Sequence, residues 1–157
     1  MAWYDSAVFY HMYPLGMVGA EKQNDGGEIR HRFSELDAFI PYLKVLGCDA
    51  IYIGPLFESG SHGYDTTDYK TVDRRLGTNA DFRHFVDTAH NYGIRVVVDA
   101  VFNHTGRGFF AFKDIQEKRA GTVHIRTGTR ASVSMAVPHG VTASTTVHGV
   151  VPGSFRS

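Results

Sequence analysis

The 157 residues are enough for one ordinary domain with a sizeable core, and 16 Lys and Arg against 16 Asp and Glu leave the chain without net charge. That balance excludes electrostatic capture of nucleic acid or of an anionic membrane, and no apolar run approaches the ~20 residues that span a bilayer. The lone Cys48 excludes an intrachain disulfide framework, the nine histidines follow no zinc spacing, and no basic stretch leads into an apolar core at the start, so a soluble, cytoplasmic product is expected.

In chain order, Ala7 to Tyr13 is a short apolar and aromatic run closed by Pro14 and Gly16, which suits a first strand. Gly19 to Glu28 is polar and glycine-rich and reads as an exposed loop. Phe33, Leu36, Phe39, Ile40, Leu43 and Leu46 then recur at helical spacing, with Ser34 and Asp37 as an N-terminal capping pair, Gly47 as the stop, and a bend expected at Pro41, which lacks a backbone donor. Asp49 to Pro55 comes next as a second strand, and Glu58 to Thr78 as a polar loop. Thr78 or Asn79 caps a helix that aligns Phe82, Phe85, Val86 and Ala89 and ends at Gly93.

The segment Gly93 to Gly106 organises the rest. Its near-continuous β-branched run Ile94 to Val98 is that of a strand in a parallel sheet, covered on both faces. Its C-terminal half then carries Asp99, Asn103 and His104. Polar groups at that end of a parallel strand face a ligand, or else Asp99 caps local amides and His104 closes a loop; the residues alone leave both open. Beyond Gly108, Phe109 to Arg119 can start another helix. Strand, helix, strand, helix, strand with short returns is the grammar of βαβ units. Because a closed βα barrel takes roughly 250 residues, the chain is either a small open sheet or the front of something larger.

Composition changes at about Arg119. All 16 acidic residues lie in 1–119, whereas 120–157 contains no Asp, Glu, Lys, Leu, Tyr, Trp, Asn or Gln. Two units are therefore expected, a folded one over 1–119 and a tail over 120–157 that is disordered or non-native.

Three motifs carry a family resemblance. Val96-Val97-Val98-Asp99-Ala100-Val101-Phe102-Asn103-His104 resembles the first conserved region of the α-amylase family, glycoside hydrolase family 13, at the end of the third barrel strand. Ala50 to Phe57 is similar to that family's second strand, and Gly63 to Tyr69 with Gly77 to Phe82 to the loop and helix start after it. The resemblance covers about residues 3–119 in order. It implies a partial TIM (β/α)8 barrel, namely the first three βα units. It also implies that Tyr64 is the aromatic platform under a sugar, that His104 donates to a sugar hydroxyl, and that Asp65 and Asp99 orient neighbours. Asn103 corresponds to a position that supplies an oxygen to a structural calcium in many members. The loop Gln23-Asn24-Asp25-Gly26-Gly27 does not repeat the family's other calcium loop and is given no metal.

The family cuts or transfers α-glucosidic bonds with retention, using one carboxylate as nucleophile and another as general acid/base. By resemblance these groups sit after the fourth and fifth strands, which have no counterpart here, so no catalytic residue is nominated and no cofactor is expected. The tail offers a reason. Read one base earlier, its codons permit Asp-Trp-Tyr-Lys-Gly at Thr127 to Ala131 and Ser-Pro-Trp-Arg-Asp-Gly-Phe at Pro138 to Ser144, strings that resemble the sequence downstream of the third strand in family members. The expectation is a truncated glycosidase of α-glucans or maltooligosaccharides that keeps part of the sugar subsite. The alternative is a non-catalytic carbohydrate-binding half barrel or partner subunit.

Overall fold

A computed structural model describes residues 1–117, with side chains as far as Asp114. In chain order the elements are a single 3-10 turn at Trp3–Asp5, β1 (Phe9–Met12), α1 (Pro14–Met17), α2 (Phe33–Asp37), α3 (Ile40–Val45), β2 (Ala50–Ile53), β3 (Phe57–Ser59), β4 (Thr66–Val72), α4 (Asn79–Asn91), β5 (Arg95–Val98) and α5 (Phe110–Glu117). The expected tail over 120–157 lies outside the described residues.

Strands β1, β2 and β5 form a parallel sheet in that order, β2 in the centre, with Phe9, Ala50 and Arg95 in register. Because strand side chains alternate, the register divides the sheet into two chemically different faces. Met12, Ile51, Ile53, Val96 and Val98 lie on the face against the helices, where they join Phe33, Leu36, Ile40, Leu43, Phe82, Phe85, Val86 and Ala89 in one core. Burying each such side chain stabilises by about 1.5–3 kcal/mol before the entropy of ordering is subtracted. The opposite face carries two rows, Phe9 with Ala50 and Arg95, then His11 with Tyr52 and Val97. Trp3 covers the lower row: its ring lies 5.7 Å from that of Phe9 and 4.6 Å from the Arg95 guanidinium, a cation–π contact. His11 and Phe9 remain exposed on this side.

Helix α4 forms as its sequence predicts. Thr78 is the N-cap, its hydroxyl accepting from the Asp81 amide at 3.1 Å while the Asp81 carboxylate returns to the Thr78 amide at 2.6 Å. The expected helix over Phe33 to Leu46 is instead two short ones. The break at Ala38 and Phe39 precedes Pro41, which thereby falls in the first turn of α3, where its missing N–H costs nothing. Phe39 and Leu46, expected on the core face, are exposed as a result. The expected capping pair of Ser34 and Asp37 does not form: the N-cap of α2 is Arg32, with no side-chain cap, and Ser34 donates its hydroxyl to the His31 carbonyl.

The expected polar loop over Glu58 to Thr78 contains an antiparallel hairpin, β3 with β4, irregular in register near Glu58. It stands on the sheet's C-terminal side. A short helix, α1, begins at Pro14, where the sequence marked only the end of the first strand.

Candidate functional site

The ladder of the parallel sheet continues one step past the strands, through Gly54 N–H to the Met12 carbonyl (3.1 Å) and Asp99 N–H to the Ile53 carbonyl (2.9 Å). This adds a third row to the open face, made of Tyr13, Gly54 and Asp99. A Cβ on Gly54 would run into the Cβ of Asp99, so only glycine lets the two strand ends approach this closely. Tyr52 lies one row below, on the central strand. Burial first, then the nearby Asp99 carboxylate, push the Tyr52 phenol up to about 12.

The hairpin brings in the aromatic wall. Its turn, Ser61 to Asp65, is fixed from three sides. Gly63 takes φ +97° and packs against Pro55 and Leu15 with no room for a side chain. Tyr13 donates its hydroxyl to the His62 carbonyl at 3.2 Å. Asp65 accepts from the Ser61 amide (3.1 Å) and hydroxyl (2.9 Å); burial works to raise its carboxyl, but these bonds outweigh it and hold it below the usual value. Tyr64 thus presents a ring that is 38% exposed, beside the His62 ring. Burial first, then the nearby charge of Asp99 and the Tyr13 phenol, raise the Tyr64 hydroxyl.

Under the hairpin lies an ionic knot. Arg75 donates to both carboxylate oxygens of Asp73 (2.8 and 2.7 Å), to the Ser59 hydroxyl (2.9 Å), and to the Ser61 and Glu21 carbonyls (2.7 Å each). All the guanidinium's N–H donors are thereby used, inside a site from which water is excluded.

His104 lies on the segment after β5. Its imidazole is exposed, and its carbonyl accepts from the Tyr69 hydroxyl at 3.0 Å, as does that of Val101. Tyr69 itself packs among Phe57, Phe102 and Phe109. Gly106 N–H donates to the Thr66 carbonyl at 2.7 Å, and Gly106 abuts the Asp65 backbone, so the segment bearing His104 is stitched to the hairpin. Of the predicted residues, then, Asp99 acts on Tyr64 through its charge, Asp65 braces the turn, and His104 stands exposed on the segment stitched to the hairpin.

Asn103 is exposed, and among the described residues no group of His, Cys, Asp and Glu is arranged to hold a metal ion. Calcium takes roughly six to eight oxygen ligands. The described residues around Asn103 do not fit it. In the loop before α2, Asn24 and Asp25 spend their side chains on Glu58, Ser59 and the amides of Gly26 and Gly27. A cavity of about 500 Å³ between that loop and the start of α4, lined in part by Ile29, Val72, Arg74 and Asn79, contains none of the predicted site residues.

The family model for the alpha-amylase catalytic domain matches residues 36–127. The chain belongs to the alpha-amylase family. This alpha-amylase-family chain is similar to neopullulanase 2 of Thermoactinomyces vulgaris, 37% identical over 136 residues, which cover 74% of this chain and 23% of the relative. It is also similar to the oligo-1,6-glucosidase of Heyndrickxia coagulans, 41% identical over 106 residues, covering 66% of this chain and 18% of that enzyme. Among solved structures, the cyclic α-maltosyl-(1→6)-maltose hydrolase of Arthrobacter globiformis in its ligand-free form aligns with TM-score 0.61 at 27% identity, over 76% of this chain and 30% of that one. The alpha-amylase-family segment therefore spans less than a quarter of the length of these curated relatives. No helix among its described residues is long and apolar enough to cross a membrane.

Reasoning from sequence missed Tyr13, Tyr52 and Arg75. The two tyrosines read as strand aromatics, and only the register reveals that they point to the open face. Arg75 sits two residues from Asp73, a spacing with no meaning until the backbone turns there.

Proposed function

We propose that this chain is the leading part of a glycosidase barrel acting on α-glucans or α-glucosides, its three parallel strands being the first three βα units, and that it supplies one wall of the sugar subsite. In this reading Tyr64 is the flat surface on which a glucose C–H face rests. Asp99 and His104 offer hydrogen bonds to sugar hydroxyls, and Asp65 keeps the turn under Tyr64 in shape. The observation that carries the reading is the place of Asp99, one step past the C-terminal ends of the strands, where parallel α/β folds take their ligands, with the half-exposed Tyr64 ring close enough for the Asp99 charge to raise its hydroxyl. The names of the relatives, a neopullulanase and an oligo-1,6-glucosidase, support the substrate class.

The same reading gives the chain no chemistry of its own. Retaining hydrolysis needs two carboxyl groups about 5–5.5 Å apart on a rigid frame. Asp65 is spent on Ser61, and after His104 the acids are Asp114 and Glu117, with none from 118 to 157. Incubating the purified chain with starch, maltodextrin and a chromogenic α-glucoside is expected to release nothing; clear turnover overturns the reading. Calorimetry with maltooligosaccharides is expected to show no saturable heat, and saturable heat would instead favour a carbohydrate-binding half barrel. We further propose that residues from about 120 onward come from a shifted reading frame. Reading the DNA after codon 119 in all frames tests this: an intact frame whose shifted translation lacks the family-like strings ends it.

A further inference from the structure

The segment that carries His104 runs between two backbone ladders. At its start the Asp99 N–H donates to the Ile53 carbonyl (2.9 Å), and past its end the Gly106 N–H donates to the Thr66 carbonyl (2.7 Å). Among the described residues, the backbone bonds of 100–105 reduce to the Phe102 N–H on the Ala100 carbonyl (3.0 Å). Asn103, His104 and Thr105 are exposed, so burial does little to hold them. One side chain from another element does. Tyr69, buried in β4, donates its hydroxyl to the carbonyls of Val101 (2.5 Å) and His104 (3.0 Å), both within the range of an O–H···O bond. A phenol has one proton, so the two carbonyls share it, and the chain between them must turn with both oxygens facing one point. The rings of Phe57, Phe102 and Phe109 stand 6.1, 5.6 and 5.7 Å from the Tyr69 ring and fix its plane, hence the direction of the hydroxyl. Burial raises the phenol above its ordinary value, which keeps the proton on the oxygen.

We propose that Tyr69 is a positioning residue that couples two pieces of the sugar wall: its shared hydroxyl proton sets the path of residues 101–104 and ties His104 to the hairpin that carries Tyr64. This rests on the reading of Tyr64 and His104 as sugar-contacting. It adds that His104 is placed through its own backbone carbonyl, before any sugar arrives. Tyr64 lies in the hairpin turn and Tyr69 in the strand that follows it, so a shift of the hairpin carries the His104 segment along. Gly106, with no room for a side chain against the Asp65 backbone, keeps the far end of the segment on the same hairpin. Groups ordered in advance lose less freedom when a ligand binds.

The test is NMR of the full chain, labelled with carbon-13 and nitrogen-15, without sugar. Tyr69→Phe removes the hydroxyl and keeps the ring, so the aromatic packing stays. In the variant the carbonyl carbons of Val101 and His104 are expected to move upfield together, while those of Ile53 and Thr66, which accept from backbone amides, keep their shifts. Backbone order parameters over residues 101–104 are expected to fall from about 0.85, a rigid chain, to below about 0.6, a flexible one. The Tyr64 amide should not change, because its turn has bonds of its own. A role confined to stability lowers the thermal midpoint of the variant and moves neither the carbonyl shifts nor the order parameters. Unchanged carbonyl shifts, or order parameters over 101–104 equal in the two chains, overturn the proposal. Should Tyr69→Phe lose its dispersed spectrum, the wild-type chain decides alone: order parameters near about 0.85 across 101–104 support the proposal, and values below about 0.6 overturn it. Turnover by the chain, which overturns the sugar reading, is measured separately and leaves this result readable.

Discussion

Replacing Arg75 by methionine should cost more stability than any other single change in the hairpin. The side chains of Arg75 and Asp73 are 5% and 1% exposed, so the substitution strands a carboxylate in a dry site. Removing one partner of a buried pair typically costs about 3–5 kcal/mol. The Ser61 and Glu21 carbonyls lose their donors at the same time, and each buried group left unpaired adds about 1–3 kcal/mol. Against a typical total of about 5–15 kcal/mol, this threatens the fold itself. Urea unfolding followed in parallel by far-UV circular dichroism and Trp3 fluorescence should show a lower midpoint at unchanged slope. Arg75→Lys keeps the charge but not the fork and should fall between the two. The double variant Arg75→Met with Asp73→Leu removes the desolvated charges together and should recover at least half of the loss. An Arg75→Met chain within about 1 kcal/mol of wild type, or a double variant no better than the single, would refute the reasoning.

Gly54→Ala should push the Asp99 strand end aside and cost about 1–3 kcal/mol by overpacking, read as a lowered thermal midpoint, whereas Gly19→Ala, with open space around it, should bring only the strain of its positive φ. Tyr13→Phe keeps the ring but frees the His62 carbonyl, and should cost about 0.5–1.5 kcal/mol while increasing hydrogen exchange in the Ser61 to Asp65 turn. The pH dependence has two opposed parts. Burial raises Asp81, but Thr78 and His31 outweigh it and hold the carboxyl below its usual value, so its contribution is complete above the ordinary Asp range and is lost as pH falls through the lower folded value. Burial first, only partly offset by His84, raises the Asp37 carboxyl, whose Oδ1 is buried without a partner; its charged form opposes folding, so that penalty is full above the folded value and disappears below the ordinary one. Asp37→Asn should therefore stabilise the chain at about pH 7 and make no difference at about pH 3, as measured by urea midpoints.

The parts of the fold that were legible are those in which one local signal dominates. Helix α4 has a cap, a 3.6-residue apolar period and a terminal glycine that agree, and β5 lies in a β-branched run, Ile94 to Val98, broken only by Arg95. The hairpin was not legible because its buried positions in β4, Thr66, Tyr69 and Val72, recur every third residue rather than every second. Register irregularity against β3 produces that spacing, and nothing in the composition announces it. The split of α2 from α3 was hidden for the opposite reason, since the apolar period runs unbroken through Ala38 and Phe39. At the site, Asp99 stood out because it interrupts an apolar run, and Tyr64 only through the motif that carries the family resemblance. Tyr13 and Tyr52 continue one, and their roles emerge only from which strands lie side by side.

The two residues of the proposed sugar wall, Asp99 and Tyr64, are mounted differently. Asp99 belongs to a backbone ladder that resists displacement, whereas Tyr64 rides on a projecting hairpin tethered by side chains and a guanidinium clamp. Exchanging the short turn from Ser61 to Asp65 would retune the spacing between ring and carboxylate and leave the hydrophobic interior alone. Under the proposed reading of these residues as a sugar wall, such modular attachment gives the architecture a route to new sugar preferences, with the ladder serving as a fixed datum.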